Sequence, residues 1–191
     1  MGKGRKLGLA SPLNLGSFDP DDEELLVVVI ETPKGSRNKY AYDPDERVFS
    51  LRKVLPAGME FPYDFGFVPS TEAGDGDPLD ALVLMDEPAF AGCRLSCRPV
   101  GIIEGEQIEK NEKKKSATRN DRLVCVEQGT HSYTHVKHID DLGKAFCKEL
   151  EEFFVNYHGL GGKRYRVLAI KGPAEARRQV KACRKTARRH A

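Results

Sequence analysis

At 191 residues, with 39% hydrophobic and 31% charged side chains, the chain has the length of one domain and enough apolar material for a core, which excludes wholesale disorder. Its formal net charge of +2 conceals an uneven distribution, because residues 171–191 carry eight Lys or Arg against Glu175 alone while residues 1–170 carry a net charge of −5. A mildly acidic body with a basic end excludes a protein built chiefly to coat nucleic acid, and no apolar run approaches the roughly 18 residues that span a bilayer.

In chain order, residues 1–20 read as an N-terminal arm. Lys3, Arg5 and Lys6 are followed by no apolar stretch or small-residue cleavage site, so a cytoplasmic location is expected. The β-branched run 25–31 predicts a strand, and 39–43 and 48–52 predict two more, separated by Pro and Asp turn signals; the three read as an antiparallel meander. Residues 81–85, 94–104 and 122–127 add strands bounded by Gly, Pro, Asp or Asn, and 164–170 adds another. The lysine-rich stretch 109–119 reads as an exposed hairpin tip. Between 139 and 157 the period changes: Leu142, Phe146, Leu150, Phe153 and Tyr157 recur at three or four, with Asp140 or Asp141 as N-cap, which predicts an amphipathic helix. A second helix is expected from Pro173 through the basic end, with Val180, Cys183 and Ala187 on one side. Short, closely spaced strands without helix-length crossovers predict a small closed barrel or sandwich rather than a parallel sheet. The expected organisation is a single domain over 1–191 with a basic helix or tail over 173–191. Five cysteines, an odd number with no Cys-x-x-Cys pair, argue for reduced thiols rather than a disulfide framework or zinc ribbon.

The sharpest local feature is Asp75-Gly76-Asp77-Pro78-Leu79-Asp80, directly before a strand. Three carboxylates on a bend fixed by Gly and Pro repel one another unless a cation sits between them. Their oxygen donors suit Mg²⁺ or Ca²⁺, though the spacing is not that of an EF-hand; a solvated acidic turn is the alternative. Upstream, Lys34, Arg37, Lys39 and Arg52 supply cations of the kind that bind a multiply charged phosphate, while each taken singly reads as surface charge.

The chain resembles the soluble inorganic pyrophosphatases with an oligonucleotide-binding-like β-barrel. The resemblance covers roughly residues 25–172. It rests on Val-Ile-Glu-Thr-Pro ending at Pro33 with Lys39-Tyr40 downstream, on Phe61-Pro62-Tyr63-Asp64-Phe65-Gly66, on the Asp75-to-Asp80 segment, on Arg98-Pro99-Val100-Gly101, on Asn120-Asp121-Arg122-Leu123, and on Phe153-Phe154 with Tyr157. It implies a mainly β, α+β fold: a twisted five-stranded antiparallel barrel with two flanking C-terminal helices. It also implies hydrolysis of inorganic pyrophosphate to two phosphates by a metal-activated water, without a covalent intermediate. Asp75 and Asp80 would hold Mg²⁺, or another divalent cation such as Mn²⁺, and Asp77 would orient the water or take its proton. Lys39, Arg52 and Tyr157, with Arg122, would bind phosphoryl oxygens. Glu31 would act in the outer shell of a further metal, and homo-oligomers are expected.

Several positions depart from the family pattern. Ala41 stands where a Glu is usual, Phe61 and Phe65 where tyrosines are usual, and His158 where a lysine is common. The usual Asp-x-Lys appears as Asn120-Asp121-Arg122, and the aspartate normally near Gln107 is absent, with Glu106 beside it. On a regular strand Asn120 and Arg122 face the site together and Asp121 faces away. A bulge would instead return Asp121 to the metal, with Glu106 supplying the other missing charge, and that arrangement is the expectation adopted. Two other readings share the scaffold: a catalytically weakened phosphate- or pyrophosphate-binding protein, and a nucleic-acid-binding module. The intact Asp75, Asp77 and Asp80 argue against the first. The absence of any Trp and of an evident stacking surface argues against the second, leaving nonspecific contact through the basic tail. His131, His135 and His138 read as surface residues near the helix start rather than metal ligands.

Overall fold

The apolar run that begins at Leu25 becomes a strand buried on both faces, and the rest of the sheet is organised around it. The computed structural model describes residues 11–109 and 117–190. Its strands are β1 (Leu26–Thr32), β2 (Asn38–Asp43), β3 (Val48–Val54), β4 (Asp64–Phe67), β5 (Asp80–Leu84), β6 (Arg94–Glu109), β7 (Ala117–Arg119), β8 (Arg122–Glu127) and β9 (Lys163–Lys171). Its helices are α1 (Gly143–Leu160), entered through a short 3₁₀ turn over Ile139–Leu142, and α2 (Pro173–His190).

Five strands close a ring. β1 pairs with β4, β4 with β5, β5 with β8, β8 with β6, and β6 returns to β1. This is the expected mainly β fold with two C-terminal helices. One pair in the ring, β5 with β8, runs parallel rather than antiparallel. β6 is five residues longer than its sequence signal, and its extension pairs with β7 and β9 outside the ring. The expected meander is also rearranged: β1 pairs with β4 and β6, while β2 and β3 form a separate two-stranded sheet. β4 has no clear strand signal because Gly66 interrupts it, yet the glycine is what allows the pairing. A Cβ there would lie 2.0 Å from the Val29 carbonyl oxygen.

The period-2 alternation sorts side chains between two cores. Leu82 and Leu84 of β5 and Val124 and Val126 of β8 share one cluster with Phe146, Leu150 and Phe154 of α1. Ala81, Val83, Leu123 and Cys125 share the other with Ala176, Val180 and Cys183 of α2. The basic end is therefore a packing element, not a loose tail; burying Val180 alone contributes about 2 kcal/mol. The expected apolar position Ala187 lies outside the residues whose side chains are described.

α1 begins differently from its expected cap. His138 is the N-cap of the entering turn, its Nδ1 accepting from the Asp140 amide at 3.2 Å, while Asp141 accepts from the His138 and Lys137 amides at 2.9 and 2.8 Å. His138 thus has a structural task, and among the described residues no three His, Cys, Asp or Glu side chains converge into a metal cage. All five cysteines are free thiols. Burial pushes the Cys125 thiol up to about 12, which keeps it inert.

Candidate active site

A cleft of about 640 Å³ opens where the end of β1, the β2–β3 hairpin, the β4–β5 loop, the start of β8 and the last turn of α1 meet. It gathers Glu31, Lys39, Arg52, Asp75, Asp77, Asp80, Arg122 and Tyr157, all expected site residues drawn from seven separate segments of the chain. Strand pairing explains one contact directly. Asp80 and Arg122 are the first residues of β5 and β8 and stand opposite each other in the parallel register, with Arg122 Nη2 3.6 Å from Asp80 Oδ2.

The acidic side of the cleft is under electrostatic strain. Burial pushes the Asp80 carboxyl up to about 7, with Glu31 and Asp75 adding repulsion against the opposing pull of Arg122 and Lys39. Asp75 is also shifted upward, first by burial and then by Asp77. The Asp80 side chain nevertheless remains 24% exposed, so it is reachable from the cleft. Hard carboxylate oxygens held above their ordinary pKa are a donor set suited to a divalent cation, and Mg²⁺ asks for only one or two carboxylates while retaining its waters. Asp75 and Asp80 meet that demand; a complete protein cage is not required. Asp77 is exposed and lines the cleft, and its backbone amide donates to Asp75 Oδ1 at 3.3 Å.

The cationic side is more tightly built. Lys39 Nζ lies 3.0 Å from Glu31 Oε2, and Glu31 Oε1 accepts from the Tyr42 amide at 2.8 Å. Glu31 is thereby committed to holding Lys39. The ammonium also sits 4.2 Å from the Phe65 ring centroid and 5.8 Å from that of Phe61. The phenylalanines that lack the expected hydroxyls serve Lys39 through their ring faces. Arg52 reaches Asp43 at 3.1 Å from an exposed position at the rim.

Arg122 is 2% exposed, and its guanidinium is held by rings and acceptors while Nε has no hydrogen-bond partner among the described residues. Its guanidinium lies 4.2 Å from the Phe154 ring centroid and 4.7 Å from that of Tyr165, and Nη1 donates to the Asn120 carbonyl at 3.0 Å. Nη2 meets His158 Nε2 at 2.9 Å. Because a guanidinium can only donate, Nε2 accepts and the ring is neutral; burial, then Arg122 itself, pushes the His158 pKa down to about 3. A lysine at this position would set a second cation against Arg122. Histidine supplies an acceptor instead. Tyr157, raised to about 12 chiefly by burial, keeps its hydroxyl proton.

Two expected ligands are not brought into the cleft. Asp121, in the short connection between β7 and β8, does not line the cleft, and its Oδ1 accepts from the Gly105 amide at 3.0 Å and from Arg119 Nε at 2.6 Å. The β5–β8 ladder starts only at Arg122, and Asp121, one residue before it, is held by these two donors instead. Glu106 likewise faces away and accepts from Arg166 at 2.7 and 3.0 Å. Their neighbours Asn120 and Gln107 line the cleft in their place, joined by an Asn120 Nδ2 to Gln107 Oε1 hydrogen bond of 3.1 Å. Ala41 lines the cleft as well. Two further lysines stand here without a signal in the sequence: Lys163 reaches the cleft from the start of β9, and Lys53 lies just beyond it. Nothing in a sequence pattern distinguishes them from surface charge.

The inorganic pyrophosphatase family model matches residues 28–188. An inorganic pyrophosphatase of Synechocystis is 42% identical over 147 residues, covering 77% of this chain and 82% of that protein. One from Methanosarcina acetivorans is 36% identical over 155 residues, covering 81% and 88%. The crystal structure of the inorganic pyrophosphatase from Thermus thermophilus superposes with a TM-score of 0.83 at 33% identity, covering 94% of this chain and 99% of that one. The chain belongs to the inorganic pyrophosphatase family.

Proposed function

We propose that the chain hydrolyses inorganic pyrophosphate in this cleft with Mg²⁺ as its divalent cation. The observation that carries the reading is the single cleft in which Asp75, Asp77 and Asp80 face Lys39, Arg52, Arg122 and Tyr157. Asp75 and Asp80 would hold the cation, which when bound would supply a water of lowered pKa and neutralise phosphate charge. Asp77 orients the attacking water and accepts its proton at a carboxylate oxygen. Lys39, fixed by Glu31 and the Phe65 face, and Arg52 hold phosphoryl oxygens, while the Tyr157 hydroxyl donates to another. Arg122 places a permanent positive charge beside Asp80 and draws the anionic substrate towards the acidic side. The chemistry needs no covalent intermediate, and no cysteine lines the cleft.

No helix among the described residues is long and apolar enough to cross a membrane, in keeping with a cytoplasmic enzyme. The exposed Val155, Leu160 and Leu168 favour a homo-oligomer. The decisive measurement is phosphate release from pyrophosphate with Mg²⁺ and with excess chelator. Activity only with the cation, lost on the order of 10²–10⁴-fold in a folded Asp77→Asn variant, is expected. Robust turnover in chelator, or wild-type rates in the variant, would refute the assignment.

A further inference from the structure

A guanidinium next to a carboxylate closes to a charge-assisted hydrogen bond of about 2.7–2.9 Å unless something else holds it back. Arg122 and Asp80 do not close. Nη2 stays 3.6 Å from Asp80 Oδ2, although the two residues stand opposite each other in the β5–β8 register and Arg122 is buried. What restrains the guanidinium lies on its other side. His158 Nε2 accepts from that same nitrogen at 2.9 Å, and the Asn120 carbonyl accepts from Nη1 at 3.0 Å. The Phe154 and Tyr165 rings, at 4.2 and 4.7 Å, cover the guanidinium itself. A planar fork with its two ends on acceptors and its plane against rings has one position. To close on Asp80, Nη2 has to break the His158 bond.

His158 is fixed in turn. It sits in the last turn of α1, and its imidazole stacks on Tyr165 with ring centroids 4.9 Å apart and planes 11° from parallel. The Tyr165 hydroxyl donates to the Asn120 carbonyl at 3.2 Å, so both acceptors that hold the arginine are tied to one tyrosine. The seating of α1 against the barrel thereby sets how far the fork stands from Asp80. That distance matters for a cation. A guanidinium drawn onto Oδ2 would occupy the oxygen that a divalent ion needs and would bring a like charge closer to it.

We propose that His158 is a positioning residue for the divalent cation: by holding Arg122 away from Asp80, it keeps the Asp80 carboxylate open and so raises the metal affinity of the cleft. The inference rests on the reading that Asp80 holds the cation, and it adds how this chain tunes that affinity. His158 acts through Arg122 and not as a metal or substrate ligand.

The test is calorimetric titration of the substrate-free protein with Mg²⁺, with circular dichroism to confirm that each variant is folded. His158→Leu, which cannot accept a hydrogen bond, should weaken Mg²⁺ about tenfold, the scale on which partners of metal ligands act. His158→Phe, which also keeps the stacking on Tyr165, should do the same and serves if leucine disturbs the fold. His158→Gln, whose amide oxygen accepts from Nη2, should stay within about threefold of wild type. In an Arg122→Met background, His158→Leu should change the affinity by less than about twofold, because the group it positions is gone. Wild-type Mg²⁺ affinity in a folded Leu or Phe variant, while Asp80→Asn weakens binding, overturns the proposal and leaves the cation on Asp80. Equal weakening with and without Arg122 also overturns it, since the loss would then come from a general disturbance of the cleft. A titration unmoved by Asp80→Asn takes the cation off that carboxylate and overturns both readings.

Discussion

Replacing Lys39 by methionine, which preserves length and packing against Phe65, separates two effects that the structure couples in one side chain. The ammonium lies 3.0 Å from Glu31, and both side chains are 12% exposed. At that separation the gross Coulomb attraction is about 5 kcal/mol with an effective dielectric constant near 20, and desolvation cancels most of it. What Lys39→Met leaves behind decides the stability effect: a largely buried Glu31 carboxylate with the Tyr42 amide at 2.8 Å as its remaining donor. Such a loss costs about 1–3 kcal/mol. Adding Glu31→Gln removes the stranded charge, so the double variant is expected to recover about 1–2 kcal/mol, a non-additivity readable in urea denaturation. Turnover should behave otherwise, because the cation facing the phosphoryl oxygens is missing in both variants. Each should lose on the order of 10²–10³-fold in kcat, as for removal of one preorganised donor. Phosphate release per folded molecule is the assay. If activity returned together with stability in the double variant, Lys39 would be acting only as the structural partner of Glu31, and its placement against the substrate would be refuted.

The Asn120–Gln107 amide pair predicts that Asn120→Asp tightens Mg²⁺ binding roughly tenfold in calorimetric titration, by placing a new carboxylate in the cleft. Asp121→Asn should leave that titration unmoved while costing about 1–3 kcal/mol of stability, through its weakened hydrogen bonds to Arg119 and the Gly105 amide. The reverse pattern would return Asp121 to the metal. His158, held near 3 when folded against 6.5 as its ordinary value, binds fewer protons in the folded than in the unfolded state between those limits. Its contribution to stability therefore falls as pH drops below about 6.5. The raised carboxyl of Asp80 works in the opposite direction over part of the same range, so the informative quantity is the difference between wild type and His158→Gln. That difference should move in favour of the variant from pH 7 to pH 5 in thermal melts; a pH-independent difference would contradict a neutral, buried imidazole. Val180→Ala should cost about 1–3 kcal/mol with kcat/KM unchanged, because α2 contributes core rather than chemistry. An unchanged melting temperature would show that the helix does not pack on the sheet.

Much of the fold was legible because it rests on local periodicity. The apolar run of β1, the strand signals of β5 and β8 and the three-to-four spacing of α1 each announce their own burial. The acidic segment was legible for a different reason: three carboxylates on one bend carry a repulsion that is evident from spacing alone. What sequence could not decide was which side of a strand reaches the cleft. Asp121 and Glu106 carry the right charge, but their partners Arg119 and Arg166 hold them outside the cleft, leaving Asn120 and Gln107 inside. Conversely, alternation would place Lys53 away from Arg52, and only the register shift opposite Lys39 and Tyr40 lets both border the site. The roles of His158 and Phe65 were equally hidden, since acceptor and ring face acquire meaning only once Arg122 and Lys39 are set against them. Residue type and local spacing thus determined the strands, the helices and the acidic motif. Strand pairing, made between segments far apart in the chain, decided which charges meet, because shifting a strand by one residue exchanges every side chain between its two faces.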